Sequence, residues 1–303
     1  MVYVYLDFNV ILDIANGLKI QSGSDVVFVY SYEHFVETAR GSDLRPIEVL
    51  KDLGAHKLDV ELDENFQYTG RAHFTGDANP LELFRSWQET IGQWPEENPF
   101  SAVLSRLLGA QNHEELVDFP ANVQRQLTSL LEEHGLLDEG RIESIDTMRQ
   151  NLETFVAGGL KGVPALEEQR KGFGLHGGRA GNLAESENAL EALWEVVGPT
   201  APGLSADQFF GFEPIPGDPR PEIPFFLGIT GCYTVLNSLG MRPDRGLSDP
   251  SALPGISSDA SHVAHASYCD VLLSADERLC AKARALYRYK DIPTSVKLLQ
   301  RVR

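Results

Sequence analysis

Four acidic residues are placed where the folded chain could gather a divalent cation: Asp7, Glu37, Asp259 and Asp276. Asp7 closes the apolar run Val2-Tyr3-Val4-Tyr5-Leu6, and Asp276 follows the run Val271-Leu272-Leu273-Ser274-Ala275. Short apolar runs of this kind read as buried strands. In an open parallel sheet, ligands bind outside the carboxyl ends of the strands. Carboxylates at two such ends would face one crevice, where like charges are costly unless a positive charge lies among them or one takes up a proton. Mg²⁺ or Mn²⁺, hard cations that take oxygen ligands, suit such a set. Each acid also has a purely structural reading. Asp7 could close a strand into a turn, and Glu37 could sit on a helix surface. Asp259 could answer a helix dipole, and Asp276 could cap the helix after it. His262 and His265, three apart on one helix, could join Asp259 around zinc, but histidines on alanine-rich faces are more often packing residues. Asp13, Asp270 and Glu277 are read as peripheral acids.

The elements that must position these residues follow from periodicity and punctuation. After the first strand comes a short apolar helix over residues 10–18, ended by Gly17 and Gly23. Val26–Tyr30 reads as a second strand, with Ser31 as N-cap of a helix over 32–40 that carries Glu37 near its middle. Pro46 opens another helix reaching Leu53. Residues 57–62 alternate as a strand, with Leu58, Val60 and Leu62 on one face. From about residue 63 the pattern becomes helical. Asn79-Pro80 and Asn98-Pro99 each set a capping residue before a first-turn proline. Stripes such as Phe84, Trp87 and Ile91, or Leu190, Leu193, Trp194 and Val197, have helical spacing. Residues 171–182 read as a glycine-rich mobile loop. Residues 199–224, with seven of the seventeen prolines, read as a stiff connector. An apolar helix over 225–239 follows, then a loop over 243–254. Next comes a helix from Ser257 to Ala266 with Asp259 in its first turn, then a strand to Ser274, a helix to Tyr289 and a final strand around 294–298.

This β-α-β-α-β order predicts an α/β fold with a doubly wound, mainly parallel sheet flanked by helices. The expected organisation is a sheet domain built from 1–62 and 225–303, interrupted by a mostly helical insertion over 63–224. The insertion is expected to wall or cover the crevice, or to receive a protein partner. No stretch approaches the roughly 20 apolar residues of a membrane span. The first apolar segment contains Asp7 and follows no basic region, so a cytoplasmic protein without a signal peptide is expected. Cys232, Cys269 and Cys280 lack metal-ligand spacing and read as buried thiols. The net charge is −18, yet residues 1–40 and 259–303 together are neutral, so the middle of the chain carries all of it. An acidic chain argues against broad, non-specific nucleic-acid binding. A local site remains open, because Arg278, Lys282, Arg284, Arg288 and Lys290 follow Asp276. Arg278 and Lys282 are candidate phosphate contacts, against the alternative of a solvated helix face.

The residues together resemble the PIN-domain nucleases. The resemblance rests on Asp7-Phe8-Asn9-Val10 after the first strand, Ser31 with Glu37 on the following helix, the frame Asp259-Ala260-Ser261-His262-Val263-Ala264-His265-Ala266, and Ser274-Ala275-Asp276 after an apolar strand. It covers about half of the chain and leaves the long middle segment outside the family pattern. What it implies is a PIN-like sheet and metal-dependent cleavage of RNA, a ribonuclease using Mg²⁺ or Mn²⁺. Asp7, Asp259 and Asp276 would contact the metal directly or through water. Glu37 would hold water on it, and Asn9 and Ser274 would orient the carboxylates. RNA would be the substrate, with an inhibitory or regulatory protein as a further partner. Two alternatives stay open. One is a catalytically silent PIN-like module that binds RNA or protein. The other is a haloacid-dehalogenase-type phosphatase, which wants a second aspartate where Asn9 stands.

Overall fold

The computed structural model describes residues 1–20, 23–64, 67–91, 103, 106, 114–158, 163–218, 220–247 and 249–300. Two compact units make up the chain. One comprises Met1–Trp94, Phe173–Asp244 and Gly255–Arg303; the other comprises Pro95–Gly172 and Arg245–Pro254. The strands are β1 (Val2–Leu6), β2 (Val26–Tyr30), β3 (His56–Leu62), β4 (Tyr68–Thr75), β5 (Val271–Ser274) and β6 (Ser295–Leu298). They form one sheet in the order β4-β3-β2-β1-β5-β6, parallel throughout except for β4, which runs antiparallel to β3.

The described helices of the first unit's N-terminal part are α1 (Phe8–Ala15), α2 (Tyr32–Gly41), α3 (Arg45–Asp52) and α4 (Pro80–Ile91). α5 (Glu114–Glu133), α6 (Glu139–Gly158) and α7 (Leu166–Gly172) follow. Then come α8 (Arg179–Leu183), α9 (Ala189–Val197), α10 (Ala206–Phe210), α11 (Phe225–Leu239), α12 (Leu253–Ala266) and α13 (Glu277–Tyr289).

Strand periodicity divides the first unit's core in two. Successive side chains point to opposite faces of a sheet, so Val4, Leu6, Phe28 and Tyr30 pack with Val10, Ile11, Phe35, Ile47 and Leu50. Their neighbours Tyr5, Val29 and Leu272 pack on the other face with Leu193, Ile229, Val263 and Leu286. A strand buried on both faces needs apolar residues at every position, which is why β1, β2 and β5 read as continuous apolar runs. The chain winds outward from β1 through β2 to β3 and later returns to the other side of β1 with β5. In open α/β sheets such a reversal, here at the carboxyl ends of β1 and β5, is where ligands bind.

Several elements differ from the sequence expectation. β4 falls in the segment read as helical. Tyr68, Ala72 and Phe74 pack against the sheet core, but Gly70 on the same face breaks the apolar alternation that would have marked a strand. α1 begins at Phe8, two residues early, and Asp7 stands at its N-cap. α12 begins at Leu253, so Asp259 lies in its second turn and not in its first. This removes the macrodipole as the reason for an acid there. The proline-rich stretch contains a 3₁₀ turn, Gly198–Thr200, and α10, opened by a capping box between Ser205 and Gln208. The glycine-rich stretch read as a loop over 171–182 includes the end of α7 and most of α8, with only residues 173–178 between them. Asn98-Pro99 lies outside the described residues. Residues 63–94 and 173–224, read as part of the insertion, lie in the same compact unit as the sheet.

The second unit has a small core of Leu116, Phe119, Val123 and Val156, packed with Leu127, Met148 and Leu152 from α5 and α6. The three cysteines are free and buried. Among the described residues no helix is long and apolar enough to cross a membrane.

Candidate functional site

The pairing of β1 with β5 brings the two strand-end acids side by side. Leu6 lies beside Leu273 in parallel register, and the Asp7 amide continues the ladder by donating to the Leu273 carbonyl at 2.9 Å. Ser274 is therefore brought alongside Asp7, and its hydroxyl donates to Asp7 Oδ2 at 2.6 Å. Asn9 Nδ2 approaches the same oxygen at 3.4 Å. The same Ser274 hydroxyl oxygen accepts the Asp276 amide at 3.0 Å, which links the two strand-end acids through one side chain.

Asp7 and Asp276 both occupy helix N-cap positions, and they behave differently. Asp276 caps α13, accepting the Arg278 and Leu279 amides on Oδ1 at 2.6 and 3.0 Å. Asp7 makes no side-chain cap to α1. It is 1% exposed, and its Oδ1 has no hydrogen-bond partner among the described residues. Burial pushes its carboxyl above the ordinary range, Glu37 adds to the rise, and His262, Ser274 and Asn9 oppose it. A buried carboxylate oxygen left unpaired is costly, so local structure alone does not account for Asp7.

Asp259 faces the same neighbourhood from α12. Burial raises its carboxyl well above the usual value, the charges of Asp7 and Asp244 raise it further, and His262 and Lys282 pull the other way. Glu37 projects from α2, whose start is fixed by Ser31. The Ser31 hydroxyl accepts the Glu33 amide, and His34 at the third helical position completes a capping box. Burial holds His34 well below its normal pKa. As a neutral ring it accepts the Ser31 amide on Nδ1 at 3.1 Å and donates from Nε2 to the Leu6 carbonyl at 2.7 Å. Glu37 Oε2 meets His262 Nε2 at 2.6 Å, and its Oε1 lies 3.6 Å from Arg40. Arg40 also donates to Ser258 Oγ at 2.6 Å, and that hydroxyl donates to Glu33 at 2.5 Å, so α2 and α12 are joined along their length.

Of the four expected acids, Asp7 feels the charge of Glu37, Asp259 feels that of Asp7, and Asp276 is linked to Asp7 through Ser274, while Asn9 and Ser274 both donate to Asp7 Oδ2. Among the described residues, however, no three His, Cys, Asp or Glu side chains form a ready metal-ligand set. The donor chemistry still suits a cation. Asp7 presents a buried, unpaired oxygen, and Asp7 and Asp259 each raise the cost of the other's charge.

Lys282 is placed differently from the sequence expectation. It is completely buried, and its ammonium is held by Asp244 Oδ1 at 2.5 Å and Asn237 Oδ1 at 2.8 Å, over the Tyr233 ring at 4.2 Å. Asn237 Nδ2 closes the group by donating to Asp244 Oδ2 at 2.8 Å. Burial lowers the Lys282 pKa, and Asp244, Asp259 and Asp276 oppose that. Its donors are engaged inside the protein, so it is a fixed counter-charge beneath the acids and not a surface phosphate contact. Arg278 is partly exposed at the start of α13. Asp244 is the acid that sequence reasoning passed over. It lies in a loop after Pro243 with no periodic signal, and only its buried pairing with a residue 38 positions away marks it. Of the acids read as peripheral, Asp270 has a backbone role, accepting the Tyr3 amide at 2.8 Å. His265 bonds the Ser261 carbonyl at 2.8 Å and packs edge-on to Phe226. Burial lowers its pKa to about 4.

No known protein family, curated protein or solved structure matches the chain.

Proposed function

We propose that the chain is a metal-dependent nuclease of PIN type, cleaving RNA phosphodiester bonds at the crevice beside β1 and β5. The observation that carries this reading is Asp7. It is a buried carboxylate at the end of the central strand, oriented by Ser274 and Asn9 through one oxygen and left unpaired at the other. In a purely structural core the burial of such a group is unfavourable without compensation.

Asp7, Asp259 and Asp276 would hold Mg²⁺ or Mn²⁺, with Glu37 holding water at the same site. Bound there, the cation would supply positive charge to a phosphate oxygen and lower the pKa of an attacking water. The chain's own residues do the positioning. Ser274 fixes the rotation of the Asp7 carboxylate, leaving Oδ1 to face the ligand. Asp276 orders the first turn of α13 with Oδ1 while remaining tied to Ser274 through its amide. Lys282, held by Asp244, offsets part of the acidic charge from below, which eases the approach of an anionic substrate. The acidic surface implies that substrate is captured at this locus and not by a broad basic face.

The test is cleavage of single-stranded RNA, with single-stranded DNA for comparison, in Mn²⁺, in Mg²⁺ and in EDTA. The wild type and Asp276→Asn would be compared. Asparagine caps helices as well as aspartate does, so the variant should stay folded and lose cleavage. Metal-independent cleavage, or full activity in Asp276→Asn, would overturn the mechanism. A folded wild type that cleaves neither polymer would leave a silent binding module as the surviving reading.

A further inference from the structure

We infer that His262 is a positioning residue, resting on the reading above: it sets Glu37 against Asp7 and Asp259 through a buried chain of hydrogen bonds that joins three acid-bearing elements. Its ring is completely buried. Nε2 lies 2.6 Å from Glu37 Oε2 on α2, and Nδ1 lies 2.8 Å from the Tyr5 hydroxyl on β1. The Tyr5 hydroxyl lies 2.7 Å from Ser31 Oγ, the group that caps α2. His262 itself stands one turn after Asp259 on α12, and Tyr5 stands two residues before Asp7. One side chain therefore ties the helix of Glu37, the strand of Asp7 and the helix of Asp259.

The direction of the bond at Glu37 follows from chemistry. An ionised carboxylate only accepts, so Nε2 must carry the proton that joins them. If the ring is neutral, Nδ1 then accepts from Tyr5, whose own oxygen accepts from Ser31. If the ring is charged, Nδ1 donates to Tyr5, and Tyr5 donates to Ser31. Glu37 receives the Nε2 proton in both arrangements, so its orientation does not depend on which one holds. Oε2 is engaged by this bond, and Oε1 is the oxygen directed elsewhere, with Arg40 at 3.6 Å. Partners that orient ligand carboxylates in this way typically matter by about 10–100-fold in metal affinity or activity.

The alternative is that His262 only fills space between α2, α12 and β1. The two roles separate in a cycle of four proteins: wild type, His262→Phe, Glu37→Gln and the double variant. His262→Gln is added as a conservative replacement that keeps a donor for Glu37. Mn²⁺ affinity is measured by titration calorimetry, and thermal midpoints are measured in EDTA. His262→Phe should weaken Mn²⁺ binding by about 10–100-fold, His262→Gln should recover part of that loss, and His262→Phe should add little in the Glu37→Gln background. Thermal midpoints should likewise be non-additive, because the two residues are in contact. Additive losses in both measurements, or no recovery by glutamine in a folded protein, would overturn the inference. A wild type that takes up no Mn²⁺ would instead overturn the functional reading, and the metal-free cycle would still decide whether His262 and Glu37 act as a pair.

Discussion

Asp7→Asn should make the metal-free protein more stable and the metal-bound protein less so. In the wild type, Oδ2 accepts from Ser274 and Asn9, whereas the buried Oδ1 lacks a hydrogen-bond partner among the described residues. Asparagine keeps a carbonyl oxygen for Ser274 and Asn9 and puts an amide in place of the unpaired oxygen, in the field of Asp259. Leaving a buried polar group unsatisfied costs about 1–3 kcal/mol. That cost is larger for a charged group than for a neutral amide, so shedding the charge, together with its repulsion of Asp259, should stabilise the apo protein by about 1–2 kcal/mol. In a sheet-bearing unit of this size, this raises the melting midpoint by roughly 2–8 °C at about 2–4 °C per kcal/mol. In Mn²⁺ at a hundred times its dissociation constant, the wild type should gain about 2.7 kcal/mol by linkage, and the variant should lose most of that gain. Calorimetric melts in EDTA and in Mn²⁺ should therefore cross, with the variant higher in the first and lower in the second. A variant that melts well below wild type in EDTA would show Asp7 to be a structural residue. A variant with the wild-type response to Mn²⁺ would remove it from the metal site.

Two further perturbations test the surroundings. Lys282→Met should cost about 3–5 kcal/mol, because it strands Asp244, whose side chain is 9% exposed, without its counter-charge. Adding Asp244→Asn should recover much of the loss in urea unfolding, and a double variant that loses as much as the two single variants together would show that the pair is not coupled. His265 resists protonation until about pH 4 in the folded chain, whereas an unfolded histidine takes a proton near 6.5. Its contribution to stability is therefore present above about pH 6.5 and lost as the pH falls toward 4, by at most about 3 kcal/mol. His265→Gln should flatten the stability profile in that window, and an unchanged slope would contradict a neutral His265.

The parts of the fold that were legible are those in which the code is local. β2 and β5 stand out as uninterrupted apolar runs because both of their faces are buried. α11 is recognisable over its whole length, since an apolar helix between Pro224 and Gly240 has both ends marked. Ser31 and Asp276 announce helix starts through their own chemistry. β4 is hard to read because it is an edge strand with one face in water, and Gly70 breaks the apolar alternation of its other face. The start of α12 was misplaced because Ser257-Ser258 resembles a cap, while the helix already runs through the preceding turn.

For the site, the residue types and their order along the chain were readable before the structure, because carboxylates after apolar strands are a local pattern. Sequence by itself therefore determined the candidates Asp7, Glu37, Asp259 and Asp276, the helper positions Asn9 and Ser274, and a mainly parallel sheet. Only the tertiary structure decided which partner each acid has. The β1–β5 register puts Ser274 on Asp7, helix packing joins His262 to Glu37 across 225 positions, and burial turns Lys282 from a candidate phosphate contact into the counter-ion of Asp244. These outcomes depend on register, crossing of elements and desolvation. Such quantities belong to pairs of segments and leave no periodic trace in either segment alone.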